Sequence, residues 1–523
     1  MSGHRRWHEC DGKSVHASGL GRAGRCRAGA GGVRRQGTRG GAVRTVRCRH
    51  PGGTGTAAQP DRTVMADNGD GTVLLARQPD LVLADVATPD VPTPGAPAQS
   101  LDGPAALHGT VPVPIDVDAA GRRQLIAGFG VGLSDASAWL IRNRLDEDAR
   151  KSLLRELFDA QSGLGLRLLR LAVGSSEFAR DRYSLDDVPP GQQDPNLAQL
   201  SIERDREAVL PVARSALAVN PALRFVAAPH SAPGWMKSSD SLVRGTLRPE
   251  ATAAYARYLR RFVDLYREEG VPVFALTLQH QPRAEPADAP GMLLDAAARV
   301  ALAGQLAPGP GGTRILELDD SWDAVDDALK VLGDPAAQAH LAGTAWHCYG
   351  GDVSAQTAVH DAYPGKEIYL TECSGGTWAP GFGDGLVHFG GTAVVGAVRN
   401  WATGIMLGNL ALDEAGGPRI GGCAGCRGLV TIGADGGVVR HPEYYALAHA
   451  SRFVRPDAVH VTSTGPVDGV SNAAFANADG SLVLVVVNAA TVPRDIRVRT
   501  AERTFGARLS SASMATYVWN VPE

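Results

Sequence analysis

From about residue 125 onward, short runs of apolar residues alternate with longer stretches whose apolar positions recur every three to four residues. A short apolar run bounded by turn residues reads as a buried strand, and the wider spacing reads as an amphipathic helix. The strand-like runs end near Gly130, Val173, His230, Gln279, Asp320, Tyr349, Glu372 and Asn409. Helical stretches lie between them; Ala251 to Glu269 has the clearest spacing. This alternation predicts βαβ units and a parallel sheet, and eight units predict a closed (β/α)8 TIM barrel, an α/β fold. After Tyr444 and Tyr445 a helix ends near Val454 and the period changes to two, at Ala473–Ala476, Leu482–Asn488, Asp495–Arg499 and Ala515–Trp519. Asp479-Gly480 marks a hairpin turn. This tail predicts a small C-terminal β-sandwich. The run Val111–Val117 is expected to join it, and Pro112 and Pro114 suggest an edge position there.

The expected organisation is a leader over 1–64, a linker over 65–104, a strand joining the sandwich over 105–124, the barrel over 125–454 and the sandwich over 455–523. The leader is rich in Arg, Gly and Ala, with no apolar core of a secretory signal and no hydrophobic periodicity, so disorder is expected. A targeting peptide or a basic nucleic-acid arm would fit that composition. An upstream extension, with functional translation starting near Met65, fits it better. The linker holds one apolar run, Thr72 to Leu83, and a Pro/Ala-rich stretch, Ala87 to Pro97.

Of 523 residues, 44% are hydrophobic and 20% charged, enough for a barrel and a smaller unit. A net charge of −3 gives no global reason to expect nucleic acid or an anionic membrane. No stretch approaches the roughly 20 apolar residues that span a bilayer. With no secretory signal visible, the cytoplasm is the expected location. Cys10, Cys26 and Cys48 lie in the leader; Cys348, Cys373, Cys423 and Cys426 lie in the body. The odd count gives no disulfide framework. Cys423-Ala-Gly-Cys426 reads as a structural loop or local disulfide, because no second pair follows at zinc spacing.

Polar residues just past the strand ends of a parallel barrel point into its mouth. Here they are Asp135, Glu177, His230, the trio Gln279, His280 and Gln281, then Asp319, Asp320, His347, Tyr349, Glu372 and Asn409. So many on one face point to a pocket for a polar small molecule. His347 has no partners at metal spacing and no Gly-rich phosphate loop stands out, so neither metal nor cofactor is expected.

Those residues lie in an ordered set of motifs. They are Gly128-Phe-Gly-Val-Gly-Leu-Ser-Asp135-Ala-Ser-Ala, Leu168-Leu-Arg170-Leu-Ala-Val-Gly-Ser-Ser-Glu-Phe178, Tyr183-Ser-Leu-Asp-Asp187 and Ser231-Ala-Pro-Gly-Trp235-Met-Lys237. Trp346-His347-Cys-Tyr349-Gly, Thr371-Glu372-Cys-Ser374, Asn409-Leu-Ala-Leu-Asp413-Glu-Ala-Gly-Gly-Pro418, Tyr444-Tyr-Ala-Leu-Ala-His449 and Thr516-Tyr-Val-Trp519 follow. Over roughly residues 110 to 520 the set resembles glycoside hydrolase family 30, the glucosylceramidase-like glycosidases. The resemblance implies a retaining β-glycosidase with two carboxyl groups flanking the sugar, one attacking the anomeric carbon and one protonating the leaving oxygen. It assigns the nucleophile to Glu372, contact with sugar hydroxyls to Asp135, and orientation of the nucleophile to His347 and Tyr349. Trp235, Gln279, Asn409 and Gly408 complete the expected substrate-binding set.

The chain departs from the family pattern in the pocket. The acid/base motif Asn-Glu-Pro reads His280-Gln281-Pro282, and an amide cannot carry the proton. His230 and Gly408 stand where the family has Trp, leaving an expected gap beside Asn409. The replacement donors considered are His230, then Glu285, then His280. Three functions fit: a glycosidase or transglycosidase acting best on activated glycosides, a pseudoglycosidase that only binds, or a barrel repurposed for other acid/base chemistry in small-molecule biosynthesis, with Glu372 as base.

Overall fold

A computed structural model describes residues 62–72, 74–78, 84–85, 111–501 and 503–520. Eight parallel strands close into a barrel: β1 (Gly128–Leu133), β2 (Leu168–Val173), β3 (Arg224–Pro229), β4 (Val273–Thr277), β5 (Arg314–Ser321), β6 (Leu341–His347), β7 (Glu367–Glu372) and β8 (Ala402–Asn409). Each predicted strand end falls within three residues of the end found. The runs are apolar throughout because a barrel strand is buried on both faces. Leu168, Val226, Ala275, Leu316, Ala345, Tyr369 and Met406 pack together as one buried cluster contributed by seven of the strands. Space is tight there: a Cβ on Gly404 would lie 2.7 Å from the Tyr369 ring.

The helices cover the barrel with the faces their spacing predicts. Thr252–Glu268 buries Tyr255, Tyr258, Leu259, Phe262, Val263 and Tyr266. Two of the tyrosine hydroxyls in this layer, Tyr183 and Tyr266, donate to the buried carboxylate of Asp205 at 2.9 and 2.7 Å, so these two polar tips are satisfied inside.

The second unit is the β-sandwich. Val113–Leu125 is the strand that links its two sheets: Val117 to Leu125 pair antiparallel with Val459–Ser463, while Val113 to Asp116 pair parallel with Ile496 to Arg499. The strand is therefore not at the edge of the sheet order, yet Pro114 lies in the stretch that pairs with Ile496–Arg499, ahead of the part that pairs with Val459–Ser463. The missing N–H of proline is tolerated on such an open side. The hairpin at Asp479-Gly480 joins Val470–Ala476 to Ser481–Asn488, with Gly480 at φ +84°. Val459–Ser463 and Arg503–Leu509 are strands the alternating pattern did not reveal.

One boundary needs correction. Arg62–Asp67 is a strand that pairs along its whole length with Ser513–Asn520, and Asp67 Oδ2 lies 3.2 Å from buried His449 Nε2. Residues 65–67 are thus part of the sandwich rather than linker, and residues 62–64 are not leader. The rest of the leader, and the Pro/Ala-rich stretch, lie outside the described residues. Among the described residues no helix is long and apolar enough to cross a membrane.

Candidate active site

The mouth of the barrel is organised by a cation in the middle of an apolar strand. Arg170 sits in the run Leu-Leu-Arg-Leu-Ala-Val of β2 and is 8% exposed. A buried guanidinium requires carboxylate partners. It finds two: Nη1 donates to Glu372 Oε2 at 2.7 Å and Nη2 donates to Asp319 Oδ2 at 2.9 Å. Asp319, fully buried, also accepts from Thr277 Oγ1 at 2.9 Å and Thr371 Oγ1 at 2.6 Å, and its Oδ1 lies 3.0 Å from His347 Nε2. Burial opposes its charge, but Arg170 and His347 hold the carboxyl far below its ordinary range. Leu318 and Asp319 both take left-handed φ, +72° and +78°; such backbone strain clusters at functional sites.

Glu372 ends β7. Its Oε2 faces Arg170 and its Oε1 accepts from the Tyr349 hydroxyl at 2.9 Å. Burial again opposes the charge, and His347, Arg170 and His280 together keep the carboxyl well below its ordinary range. Glu372 is thus an ionised carboxylate at the floor of the mouth. A disulfide staples its neighbourhood: Cys348, between His347 and Tyr349, is bonded to Cys373, the residue after Glu372.

The opposite wall comes from the segments that follow β2, β3 and β4. The His230 and His280 rings stack at 3.9 Å between centroids. His280 Nε2 lies 3.5 Å from Glu372 Oε2, and His230 Nδ1 lies 3.4 Å from Glu177 Oε2. Both ring nitrogens are buried without a hydrogen bond. Burial and the neighbouring His280 bring His230 down to about 4, so it is neutral near pH 7. Burial also works against a proton on His280, yet the Glu372 carboxylate outweighs it and leaves His280 above its ordinary value. Gln279 Nε2 donates to the carbonyls of His230 and His280 at 2.7 and 3.0 Å, tying the two strand ends together.

Two adjoining cavities meet at Glu372 and Glu177. The inner one is lined by Arg170, Glu177, His230, Glu372, Gly408 and Asn409. The outer one, ≈ 370 Å³, is lined by His280, Gln281, Tyr349, Glu372, Trp378 and the Cys423–Cys426 loop, among others. That loop is closed by a local disulfide, one of the two forms expected for it, and its Gly425 carbonyl accepts from Thr377 N at 2.9 Å beside Trp378.

The structure brings Glu372, Gln281, His280, His230, Tyr349, Asn409 and Gly408 to the cavities and His347 directly behind them. Three expected contacts lie elsewhere. Asp135 is turned to Arg180, which binds it through its backbone N–H and two guanidinium nitrogens at 2.9–3.0 Å. Trp235 is buried with its indole N–H on Asp186. Gln279 is a strap between strand ends. Consecutive residues at a strand end face opposite ways, and position along the chain does not tell which faces the mouth. The expected gap at Gly408 is filled too: a Cβ there would lie 1.9 Å from Ser374 Oγ. Glu285 bonds Gly245 N at 3.1 Å and does not line the outer cavity. Arg170 was missed as a site residue, although a charge inside an apolar strand was a visible signal; Asp319, expected at the mouth, lies fully buried behind it.

His280, His347 and Glu372 bring donor atoms within 4.8 Å of one another. Both Glu372 oxygens already accept hydrogen bonds, and Arg170 supplies the local positive charge, so the group is built as an ion-pair cluster. The Cys348, Cys373 and His388 group has its thiols in the disulfide.

Comparison with known proteins places this geometry. The family model described as "Glycosyl hydrolase family 30 TIM-barrel domain" matches residues 126–454, and "Glycosyl hydrolase family 30 beta sandwich domain" matches residues 457–517. The chain is similar to endo-1,6-beta-D-glucanase neg1 of Aspergillus fumigatus, 28% identical over 456 residues, covering 81% of this chain and 90% of that one. It is 30% identical over 422 residues to putative glucosylceramidase 2 of Caenorhabditis elegans, covering 75% and 78% of the two. Among solved structures, the endo-beta1,6-glucanase BT3312 superposes with a TM-score of 0.76 at 26% identity, over 88% of this chain and 100% of that one.

Proposed function

Because the chain belongs to glycosyl hydrolase family 30 it is a glycosidase-type enzyme, and we propose that it acts on β-glucosides, β-1,6-linked glucan foremost, by a retaining mechanism with Glu372 as nucleophile. The observation that carries this reading is Glu372 itself: an ionised carboxylate at the end of β7, held from behind by Arg170 and Tyr349 and opening onto a cavity. Glu372 attacks the anomeric carbon and forms a glycosyl ester, which water or an acceptor hydroxyl then opens. The substrate class comes from the two endo-1,6-glucanases it resembles. The outer cavity, with exposed Trp378 and Tyr349, offers aromatic surface for the leaving-group sugar.

The amide of Gln281 stands in the acid/base place of the family motif and cannot donate a proton. The leaving group must therefore depart without one, or another side chain must supply it. The enzyme is expected to favour activated glycosides and transfer to acceptors. Gln281 also favours a second reading, a barrel that binds glycosides without turning them over. Two disulfides in the body support an oxidising compartment over the cytoplasm expected from the missing signal.

An activated 2-deoxy-2-fluoro-β-glucoside should leave a fluoroglucosyl mass on the peptide containing Glu372 and none in Glu372→Gln. Full activity of Glu372→Gln on a β-1,6-glucan would overturn the assignment. No adduct and no turnover in the unaltered protein would leave the binding-only reading.

A further inference from the structure

Resting on the retaining reading above, we propose that His280 replaces the missing acid/base carboxyl and that the charge of Glu372 sets when it gives and when it takes the proton.

Of the three side chains weighed as donors, only His280 meets both requirements of place. Its Nε2 lies 3.5 Å from Glu372 Oε2, and its side chain lines the outer cavity with Gln281 and Tyr349. Glu285 is turned to Gly245, and His230 Nδ1 is turned to Glu177. The ring is held in place by more than its own strand. His280 N donates to Pro229 O at 2.9 Å, Gln279 ties its carbonyl, and His230 stacks on its face. Yet Nε2 itself is buried with no hydrogen bond in the resting site. At 3.5 Å from the carboxylate it is near enough for strong attraction and too far for a good bond; a sugar entering the site parts the two groups to the roughly 5–5.5 Å of a retaining pair, which turns the Nε2 proton over to the leaving oxygen.

The groups around His280 are few. Glu372, Glu177 and Asp319 are carboxylates, Arg170 is the cation, His230 and His347 are imidazoles, and Tyr349 contributes a hydroxyl. Two stacked imidazoles do not both hold protons, and burial keeps His230 neutral. The mobile proton of the stack therefore resides on His280, drawn there by Glu372.

That dependence gives the cycle. In the first step the Glu372 carboxylate bonds to the anomeric carbon, the bond to the leaving oxygen breaks with its electron pair on oxygen, and that oxygen takes the Nε2 proton. Glu372 is then a neutral ester, so the attraction that held the proton on His280 is gone. The neutral imidazole is left as a base. In the second step the water or acceptor oxygen bonds to the anomeric carbon, its proton passes to Nε2, and the bond pair returns to Glu372 as carboxylate. The imidazolium and carboxylate face each other again, and the balance of atoms and charge closes.

The test uses His280→Asn and His280→Gln in the full chain, with 2,4-dinitrophenyl β-glucoside and a β-1,6-linked gluco-oligosaccharide as probes. Adduct formation on Glu372 by the fluoroglucoside confirms that each variant is folded and poised. For the oligosaccharide, kcat/KM should fall about 10²- to 10⁴-fold, while for the dinitrophenyl glycoside it should fall less than about tenfold. The alkaline limb of the kcat/KM profile should vanish with His280, and azide should speed turnover of the dinitrophenyl glycoside in the variants. Equal losses on both probes, or an alkaline limb that persists, would overturn the proposal while leaving Glu372 as nucleophile. No adduct in the unaltered protein would overturn the retaining reading, and this proposal with it.

Discussion

The two walls of the mouth are built on different terms. Behind the nucleophile, Asp319 of β5 gathers Arg170 of β2, Thr277 of β4, His347 of β6 and Thr371 of β7 at 2.6–3.0 Å, and Glu372 is anchored by Arg170 and Tyr349. On the β3 and β4 side, His230 and His280 approach their carboxylates only to 3.4 and 3.5 Å. The first wall fixes a charge in place: short charge-assisted bonds at a buried site leave it no freedom to change protonation near neutral pH. The second wall holds its rings by stacking and by backbone bonds, and leaves ring nitrogens free to exchange protons. A nucleophile needs the first condition and a proton carrier the second.

The largest expected effect comes from breaking the fixed wall. Arg170→Gln leaves two buried carboxylates without their cation, and stability should fall by about 3–5 kcal/mol in urea unfolding. A loss below about 1 kcal/mol would show that the wall does not depend on its charges. A comparable effect, read as rate, comes from rebuilding the other wall. Adding Gln281→Glu to His280→Asn restores the family motif, and hydrolysis of unactivated glucosides should rise about 10²- to 10⁴-fold over His280→Asn alone. No gain would mean that residue 281 does not face the glycosidic oxygen.

The barrel, its strand ends and Glu372 were legible because each is a local signal: apolar runs of strand length, a change of period, and a motif around one carboxylate. What stayed hidden depends on distant parts of the chain meeting. Gly408 reads as a gap until Ser374 is seen to fill it. Asp135 reads as a sugar ligand until Arg180 is seen to occupy it. Cys348 and Cys373 lie 25 residues apart and meet only because β6 and β7 are neighbours in the barrel. Arg62–Asp67 has no pattern of its own and becomes a strand through its partner at the other end of the chain.

A smaller effect separates the walls by pH. His230 sits at about 4 against an ordinary value of 6.5, so between those values the unfolded chain binds a proton that the folded one refuses. Its contribution to stability is therefore whole above about pH 6.5 and lost as pH falls toward 4, in all about 3 kcal/mol. Asp319 and Glu372, with lowered values, contribute stability that is lost only below the ordinary carboxylate range near pH 4. Unfolding at pH 7.5 and 4.5 should show a drop that shrinks by roughly that amount in His230→Phe. An unchanged drop would place the acid sensitivity elsewhere.

Attack of Glu372 on the sugar is tested most directly by removing its side chain and supplying a small anion. Glu372→Ala opens space on the face of the sugar where the carboxylate stood, and azide entering there displaces an activated leaving group in one inverting step. With 2,4-dinitrophenyl β-glucoside and azide, the product should be α-glucosyl azide by proton NMR, with negligible turnover when azide is absent. Undiminished turnover of the variant without azide, giving glucose as the β-anomer first, would contradict the account.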